Sequence, residues 1–308
     1  NPLRIQIASV QNVGCPFRKI EAGDVRLWFD LKIFVPVLFK QEGENSMVKA
    51  VVTGAAGRMG GKIISLIASS ENIRVVGAVE VKKHPIIGHD MGQGLGLGKT
   101  GVKVCDKLSD CIDQADVVID FTDHASSMNY LKISAESNKA IVVGSTGFNA
   151  AEMETIKDLT KKTRCVLTPN MSVGVNVMLK VLEYCAGILK DDYDVEIIEA
   201  HHHLKKDAPS GTAMEMARVI AAKLGRDLDA AAVYARRGLI GERTKKEIGI
   251  QTVRAGDIVG DHTVIFGGVG ERLEFIHRAH NRDNFAKGAI RAAQWIVHQK
   301  NGLYDMQD

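Results

Sequence analysis

The chain has 308 residues, of which 45% are hydrophobic and 25% charged, a composition that suits a two-domain globular protein with a sizeable core. Its net charge of +3 is too small to indicate a nucleic-acid-binding protein, and no apolar run is long enough for a membrane span. The five cysteines are odd in number and show no Cys-x-x-Cys spacing, so we expect a cytoplasmic protein with neither a disulfide framework nor a zinc ribbon.

The first 46 residues differ in composition from the rest of the chain. They hold four of the nine Phe and three of the six Pro, without the basic, apolar and small-residue sections of a signal peptide. We interpret residues 1–46 as a non-native or disordered extension. One hypothesis is that Gln41–Glu44 is a translated ribosome-binding site before a start at Met47. A genuine presequence or accessory strand is the alternative.

The next segment predicts a βαβ unit of the kind that binds dinucleotides. A buried strand over Val48–Thr53 enters the loop GAAGRMG, a helical period follows, and a second strand runs over Arg74–Glu80. We expect Gly54 to allow the tight turn, Gly57 to let the backbone approach a pyrophosphate, and Gly60 to let the helix pack against the strand.

Glu80 lies at the end of the second strand, about twenty residues after the loop, where a carboxylate can accept hydrogen bonds from an adenine ribose. The helix after the loop would direct its free N–H groups and positive dipole end toward the phosphates. The spacing is Gly-x-x-Gly-x-x-Gly rather than the commoner Gly-x-Gly-x-x-Gly, so a glycine-rich turn without a ligand stays open as an alternative.

A second glycine-rich stretch, Gly92–Thr100, resembles a phosphate-binding P-loop. It lacks one of the required glycines, because Gln93 stands in that position, and a strand-like rather than helical segment follows it. We therefore interpret this stretch as a flexible loop and expect no kinase-like phosphate site here.

Three further apolar runs end in small or hydroxyl residues. One ends at Phe121–Thr122, one at Gly144–Gly147 and one at Thr168–Asn170. Because ligands of open parallel sheets bind beyond the carboxyl ends of the strands, we expect these residues to contact the ribose and nicotinamide of a cofactor. Ordinary turn chemistry is the alternative for each end taken alone.

The segment Asp192–Ile220 carries residue types suited to catalysis. A strand over Val195–Ala200 is followed by three histidines and two lysines, and a helix begins near Thr212. Since successive side chains of an extended chain point to opposite faces, His201 and His203 would share a face that the histidine between them does not join. We therefore expect no metal site here.

Lys205 and the turn before the helix are the candidates for chemistry and for substrate binding. Lys205 stands beside several histidines and is suited to proton donation. The backbone N–H groups and the hydroxyl of Ser210–Thr212 suit a carboxylate at a helix N-terminus. A solvated basic loop and a simple helix cap stay open as alternatives.

From Ile248 the pattern changes to strands separated by turns rich in Gly and Asp, which predicts a mostly antiparallel or mixed sheet with one helix-bearing crossover. An exposed face of such a sheet often packs against a partner subunit. A helical period returns over Asn284–Lys300, and we expect this helix to pack back on the first domain.

These motifs closely resemble the dihydrodipicolinate reductase (4-hydroxy-tetrahydrodipicolinate reductase) family from Met47 to Asp308. The most specific element is EAHHHLKKDAPSGTA, which matches the family's Glu-x-His-His-x-x-Lys-x-Asp-x-Pro-Ser-Gly-Thr-Ala signature. The family also shares, in the same order, GAAGRMG, VVGSTGF, NMSVGVNV, RAGDIVGDHTVIF, GERLEFIHRAHNR and GLYDM. The resemblance implies NAD(P)H-dependent reduction of 4-hydroxy-tetrahydrodipicolinate, via dihydrodipicolinate, to tetrahydrodipicolinate in lysine/diaminopimelate biosynthesis.

The resemblance also implies roles for individual residues. His201 would be the active-site histidine and Lys205 the proton donor, although the sequence leaves open which of the two delivers the proton. The groups that would hold the substrate, a cyclic imine dicarboxylate, are His202, Gly211 and Thr212. The residues that would bind the nicotinamide cofactor are Gly54, Ala55, Ala56, Gly57, Arg58, Met59, Glu80, Gly144, Ser145, Thr146, Thr168, Pro169, Asn170 and Met171.

The implied fold is α/β, with a Rossmann-type parallel-sheet cofactor domain and an α+β domain for substrate binding and tetramerisation, which contains a mixed sheet. We expect the first domain to comprise residues 47–171 and 283–308, and the second to comprise residues 172–282. The family resemblance implies a homotetramer, and we expect neither a nucleic acid nor a membrane partner.

The residues after Glu80 bear on the choice of cofactor. Several relatives carry Arg there to meet the phosphate of NADPH, whereas this chain has Val81, followed by Lys82 and Lys83. We therefore expect NADH to be preferred, with dual use of NADH and NADPH as the alternative.

Two other functions stay open. One is an amino-acid dehydrogenase of the aspartate or diaminopimelate type on the same two-domain plan, although the His-His-x-x-Lys…Ser-Gly-Thr block argues against it. The other is a non-catalytic NAD(P)-sensing protein, which would not need a proton donor such as Lys205.

Overall fold

The computed structural model describes residues 47–308, and the extension predicted over residues 1–46 lies outside the described residues. The strands are β1 (Val48–Thr53), β2 (Ile73–Val79), β3 (Val104–Cys105), β4 (Val117–Asp120), β5 (Ala140–Val143), β6 (Arg164–Leu167), β7 (Asp194–His201), β8 (Ala232–Val233), β9 (Ile248–Arg254), β10 (Gly260–Gly267), β11 (Arg272–Ala279) and β12 (Gly302–Tyr304). The α-helices are α1 (Arg58–Ile67), α2 (Met91–Gly94), α3 (His124–Glu136), α4 (Ala150–Leu159), α5 (Val173–Leu189), α6 (Gly211–Lys223), α7 (Leu228–Ala231) and α8 (Asp283–Ile296).

The first sheet is parallel throughout and has the strand order β12-β6-β5-β4-β1-β2-β3. Apart from β12, this is the order of a doubly wound dinucleotide-binding fold, in which the chain winds outward from the centre in both directions. Its central strands are short runs of Val, Ile and Ala buried on both faces, as expected where helices cover a parallel sheet. The predicted fold class is therefore confirmed.

Alternate residues of β1 enter two different cores. Ala50 and Val52 pack with helices α1 and α8 on one face of the sheet. Val51 packs on the other face, with Leu131 of α3 and Ile156 of α4. Burying each such large aliphatic side chain stabilises the fold by roughly 1.5–3 kcal/mol relative to leaving it exposed. Helix α8 thus returns the end of the chain to the first sheet.

The second sheet is mixed, as predicted, and has the order β11-β10-β7-β9-β8. Strand β7 pairs parallel with β9 and antiparallel with β10, and α6 lies in the crossover that follows β7. Helices α5 and α6 cover the face that buries Val195 and Ile197. The opposite face leaves Ile198, Val253 and Ile276 more than a third exposed, although all three are large and apolar.

Several elements were not predicted from the sequence, among them helices α3, α4 and α5 and strands β8 and β12. Helix α5 begins with Val-Gly-Val-Asn-Val, whose alternation imitates a strand. The Ser172 side chain starts it as a helix by accepting a hydrogen bond from the backbone N–H of Val175. Strand β12 is only three residues long, too short for a periodic signal, and is defined by its pairing with β6.

The close packing of α1 on the glycine loop predicts that Gly60→Ala is destabilising. A Cβ at Gly60 would lie 2.1 Å from the carbonyl oxygen of Gly54, a backbone atom that cannot move aside. At the neighbouring Gly61 the nearest atom, 3.1 Å away, belongs to the flexible side chain of Leu95. We expect Gly60→Ala to lower the free energy of unfolding by about 1–3 kcal/mol, measured by denaturant titration. Gly61→Ala is the matched control, and equal losses in the two variants would contradict this packing argument.

Candidate active site

The glycine loop between β1 and α1 has a tight geometry. Gly54 has a φ of 59°, a left-handed conformation that residues with a Cβ rarely adopt. Gly57 is the N-cap of α1, and within residues 47–308 the cap makes no side-chain hydrogen bond to the first-turn amides. Arg58, the first residue of the helix, is exposed beside them, whereas Ala55 is buried beneath the loop. The loop therefore presents backbone donors and one cation at its outer side.

Glu80 ties the glycine loop to the end of β2. Its side chain is buried, and its two oxygens accept hydrogen bonds from the backbone N–H groups of Ala56 and Val81, each at 2.8 Å. The carboxylate predicted to meet a ribose is thus already engaged with the loop. Each carboxylate oxygen can accept more than one hydrogen bond, so a ribose hydroxyl remains compatible with this arrangement.

A buried carboxylate that the sequence analysis missed lies at the end of β4. Asp120 is fully buried and accepts hydrogen bonds from the hydroxyls of Thr53 at 2.6 Å and Thr122 at 2.7 Å, and from Ser127. Ser127 also contacts Ser145 at 2.8 Å. The network joins the carboxyl ends of β1, β4 and β5. The sequence signal for Asp120 was an acidic residue at the end of an otherwise apolar strand.

Gly144 and the residues after it form the turn that follows β5. A Cβ on Gly144 would lie 2.2 Å from the ring of Phe121, so the aromatic ring packs directly on the backbone of the turn. Ser145 points inward to the Asp120 network, whereas Thr146 is exposed. Contacts with Phe121 and the Asp120 network therefore hold the buried side of the turn, and its other side, at Thr146, is exposed to solvent.

The segment after β6 contacts the second sheet's helices. The Asn170 side chain donates a hydrogen bond to the Thr212 hydroxyl at 3.0 Å, and its own oxygen accepts from the N–H of Ser172. Thr168 and Met171 are buried on either side, and Pro169 is exposed. Asn170 thereby joins a strand end of the first sheet to the start of α6.

The register of the second sheet places a row of polar side chains on its helix-covered face. Glu199 of β7 pairs with His262 of β10 on one side and with Thr252 of β9 on the other, and His262 pairs with His277 of β11. Glu199 and His201 are two residues apart on β7, so their side chains point to the same face.

Glu199 is fully buried and accepts hydrogen bonds from four neighbours. Arg254 donates two, at 2.8 and 2.9 Å, and the others come from the backbone N–H of Ser210 at 2.9 Å, the Thr252 hydroxyl at 3.2 Å and Nδ1 of His201 at 2.6 Å. Burial opposes ionisation, but the hydrogen bonds from Arg254 and His201 outweigh it and lower the pKa of Glu199. An ionised carboxylate can only accept, so Nδ1 of His201 carries the proton.

The Nε2 atom of His201 is consequently the free nitrogen of the ring. A Cβ on Gly260 would lie 3.0 Å from this atom, so glycine at that position keeps the space beside it clear. Burial lowers the pKa of His201 despite the opposing hydrogen bond from Glu199. At neutral pH the ring is therefore uncharged, with an Nε2 that can accept a hydrogen bond.

His262 is a buried histidine between His201 and His277. Its ring centre lies 5.2 Å from that of His201, and its Nε2 lies 3.0 Å from the Ser210 hydroxyl. Burial, reinforced by the neighbouring histidines, lowers the pKa of His262 to about 3. The row is therefore neutral apart from the Glu199–Arg254 ion pair.

The predicted proton donor, Lys205, and one predicted substrate residue, His202, lie in the segment that follows β7. The Lys205 ammonium group donates to both oxygens of Asp207, at 2.9 and 2.8 Å, and this hydrogen bonding lowers the pKa of Asp207. The Nδ1 atom of His202 is buried and has no hydrogen-bond partner among residues 47–308. His203 lies beyond the end of the strand and is exposed, whereas His201 is buried.

Ser210 caps α6. Its hydroxyl accepts from the N–H of Ala213 at 3.2 Å, so the cap interpretation holds for Ser210 itself. The next two residues, Gly211 and Thr212, form the first turn, and a Cβ on Gly211 would meet no atom within 4 Å. The start of α6 is thus open where its N–H groups and positive dipole end can receive an anion.

The P-loop-like stretch closes on itself. The Asp90 carboxylate accepts hydrogen bonds from the N–H groups of Gly92, Gln93, Thr100 and Gly101. These bonds, above all that from Thr100, lower the pKa of Asp90 to about 2. The amides that a phosphate would need are already bound to a carboxylate.

The described part of the chain was searched for metal-binding clusters and for membrane-spanning helices. Among residues 47–308, no cluster of three or more His, Cys, Asp or Glu side chains is arranged to hold a metal ion. No helix in this range has both the length and the apolar character needed to cross a bilayer.

Comparisons with known proteins identify the family. Residues 48–171 match the family model for the N-terminus of dihydrodipicolinate reductase, and residues 174–308 match the model for its C-terminus. The chain belongs to the dihydrodipicolinate reductase family. The predicted family, and with it the predicted class of pyridine-nucleotide-dependent oxidoreductase, is confirmed.

Individual relatives agree with this family assignment. The chain is 60% identical over 262 residues to 4-hydroxy-tetrahydrodipicolinate reductase of Syntrophus aciditrophicus, and 55% identical over 262 residues to that of Geotalea uraniireducens. Each match covers 85% of this chain and 98% of the relative. A solved dipicolinate-bound dihydrodipicolinate reductase from Paenisporosarcina sp. TG-14 has a TM-score of 0.68 at 26% identity, covering 84% of this chain and 97% of that one.

A more distant structure shares the fold alone. An amine dehydrogenase from Mycobacterium smegmatis has a TM-score of 0.56 at 15% identity and covers 85% of this chain and 96% of its own length. A shared two-sheet architecture does not by itself specify a substrate.

The buried His262 predicts a loss of stability in acid. Its pKa is about 3 in the folded protein and near 6.5 when exposed, so between these values the unfolded chain binds more protons and stability falls as the pH falls. The slope approaches about 1.4 kcal/mol per pH unit for one such group. We expect His262→Gln to flatten the dependence of the free energy of unfolding on pH between about 6.5 and 4.

His201 and His277, whose pKa values are also lowered, remain in both proteins and leave a residual slope. The control is the same comparison near pH 8, where histidine is neutral in both states and the pH dependence of the two proteins should coincide. Parallel curves throughout the acidic range would contradict the role given to His262.

Proposed function

We propose that the protein reduces 4-hydroxy-tetrahydrodipicolinate, via dihydrodipicolinate, to tetrahydrodipicolinate with NADH or NADPH, as a step of lysine/diaminopimelate biosynthesis. The observation that carries this proposal is the hydrogen bond from Asn170 to Thr212. It joins a strand end of the dinucleotide-type sheet to the helix start beside His201 and Lys205. A hydride donor and acceptor have to be held side by side, and this contact brings their two binding regions together.

The nicotinamide cofactor is proposed to lie along the carboxyl ends of the first sheet. Gly54 has a left-handed backbone conformation, and the cap of α1 at Gly57 makes no side-chain hydrogen bond. This loop fits a dinucleotide phosphate, because its backbone N–H groups can approach the phosphate closely. When bound, the cofactor supplies the hydride. The groups proposed to hold it are Gly54, Ala55, Ala56, Gly57, Arg58, Met59, Glu80, Gly144, Ser145, Thr146, Thr168, Pro169, Asn170 and Met171.

The substrate's carboxylates are proposed to bind at the start of α6 and at His202. The first-turn N–H groups of Gly211 and Thr212 and the Thr212 hydroxyl offer directional donors to an anion. His202 supplies a further polar group, whose buried Nδ1 lacks a partner among the described residues. A dicarboxylate would satisfy both positions, whereas a monocarboxylate would leave one unsatisfied.

Lys205 is proposed as the proton donor and His201 as the residue that orients the substrate. The Lys205 side chain is only partly exposed, and its contact with Asp207 at 2.8 Å fixes its direction. His201 is neutral with Nδ1 bound to Glu199, which leaves Nε2 as an acceptor. A neutral ring has no spare proton to release, so this arrangement favours Lys205 over His201 as the source.

NADH is proposed as the preferred cofactor. Val81 is exposed directly after Glu80, and its uncharged side chain offers nothing to the phosphate of NADPH. Lys82 and Lys83 are exposed nearby and would permit some use of NADPH. A higher kcat/KM for NADPH than for NADH would contradict this preference.

A homotetramer in the cytoplasm is the proposed state of the protein. The uncovered face of the second sheet exposes Ile198, Val253 and Ile276, an apolar area that a partner sheet would bury. The four cysteines within residues 47–308 carry free thiols, which agrees with a reducing compartment.

The direct experiment is a coupled assay. Pyruvate and aspartate semialdehyde are condensed by the preceding synthase, this protein is added, and the consumption of NADH or NADPH is followed. Synthase-dependent consumption is the expected result. Cofactor binding without consumption would favour the sensor function, and oxidation of L-aspartate or diaminopimelate with NAD would favour an amino-acid dehydrogenase.

Replacing the proposed proton donor should separate chemistry from binding. Lys205→Ala should lower kcat by about 10²–10⁴-fold, the usual contribution of general acid catalysis, while the Kd for NADH changes little. Lys206→Ala, at the exposed neighbouring lysine, is the matched control and should retain activity. Steady-state kinetics and NADH fluorescence titration provide the two readouts. An unchanged kcat in Lys205→Ala would remove this residue from the mechanism.

A further inference from the structure

Two cysteines outside the proposed active site lie next to each other. Cys105 ends β3, and Cys111 lies six residues later between two short 3₁₀ turns. Their Sγ atoms are 3.5 Å apart, so a modest rotation of the two side chains would bring the sulfurs into bonding distance.

The backbone of β2 makes room for this pair. A Cβ on Gly77 would lie 2.9 Å from both Cβ and Sγ of Cys111, so only glycine permits Cys111 to sit this close to the strand. Both cysteines line a surface groove together with Arg74 and Lys103. A small reagent can therefore enter the groove and reach the partly exposed Cys105.

We propose that Cys105 and Cys111 form a reversible intramolecular disulfide by exchange with a small-molecule disulfide. The Cys105 thiolate attacks one sulfur of the reagent, and the other sulfur leaves as a thiol. Cys111 then loses its proton and attacks Cys105 Sγ, releasing the second small thiol. The protein dithiol is oxidised by two electrons and the reagent is reduced to two thiols.

The order of attack follows from exposure. Burial raises the pKa of the Cys111 thiol, and Cys111 is only 7% exposed, whereas Cys105 is partly exposed. Cys105 is therefore the sulfur that an external disulfide meets first, and Cys111 is the resolving sulfur. Cys165, which is fully buried, is not available to the reagent.

The pair is connected to Glu80 through β2 and β3. The carbonyl oxygen of Cys105 accepts a hydrogen bond from the Glu80 N–H at 3.0 Å, and its thiol donates to the carbonyl oxygen of Ala78 at 3.3 Å. Oxidation removes the thiol donor and pulls the end of β3 toward Cys111. We expect this to disturb Glu80 and to weaken NADH binding, a consequence that rests on the proposed function.

The first experiment tests the bond itself and needs no activity. The full chain is equilibrated in a glutathione redox buffer, blocked with an alkylating agent and digested with trypsin. Cleavage after Lys103, Lys107 and Lys132 puts Cys105 in peptide 104–107 and Cys111 in peptide 108–132. A disulfide-linked pair of these two peptides, lost on reduction, is the expected product.

Cys111→Ser should instead hold glutathione on Cys105, because the resolving sulfur is gone. Cys185→Ser, at a partly exposed cysteine on α5, is the control and should form the linked peptides like the unmodified chain. Free alkylated peptides under oxidising conditions, or a stable glutathione adduct on Cys105 in the unmodified chain, would overturn the proposal.

The second experiment measures NADH affinity of the reduced and oxidised protein. We expect oxidation to raise the Kd for NADH about fivefold, the effect of losing one hydrogen bond. The Cys105→Ser variant, which lacks the attacking sulfur and forms neither the intramolecular bond nor an adduct at residue 105, serves as the reference. An identified disulfide with an unchanged Kd would refute the link to Glu80, whereas a missing disulfide would refute the pair whatever the activity.

Discussion

The buried carboxylate of Glu199 is the constraint on which the candidate site depends. It holds three separate parts of the chain: the His201 ring on its own strand, Arg254 on the neighbouring strand and the N–H of Ser210 at the start of α6. Leaving a buried charge without its partner typically costs about 3–5 kcal/mol, so these contacts hold one another in place. Arg254 extends the network by donating at 2.6 Å to the backbone carbonyl oxygen of Asp207, the residue whose carboxylate binds Lys205.

The site therefore has a buried part, called the floor below, and a solvent-exposed part, called the rim. The floor contains neutral buried histidines and the Glu199–Arg254 ion pair, and it sets the direction of His201 Nε2. The rim contains Lys205 and the first turn of α6, where charge and free N–H groups meet solvent. Hydride transfer to a dicarboxylate needs this division, because the reacting atoms require fixed neighbours while the charged substrate must enter and leave.

Much of the fold could be predicted from the sequence because its signals are local. The glycine loop, the apolar strands and the cap at Ser210 each occupy a few consecutive residues. The Glu199–Arg254 ion pair spans 55 residues and depends on the register of β7 with β9, which no local pattern specifies. For the contacts of Glu199, the i, i+2 spacing of Glu199 and His201 is a local signal, because it places both side chains on one face of the strand. Helix α5 was missed because its first turn alternates like a strand.

The most direct test of this account is the pair of variants Glu199→Gln and Glu196→Gln. Both glutamates lie on β7 and each is paired with arginine, but Glu196 contacts Arg236 and Arg243 away from the site. We expect Glu199→Gln to lower kcat by about 10²-fold or more, with little change in the Kd for NADH, and Glu196→Gln to keep its kcat. Equal kcat values in the two variants would contradict the role given to Glu199.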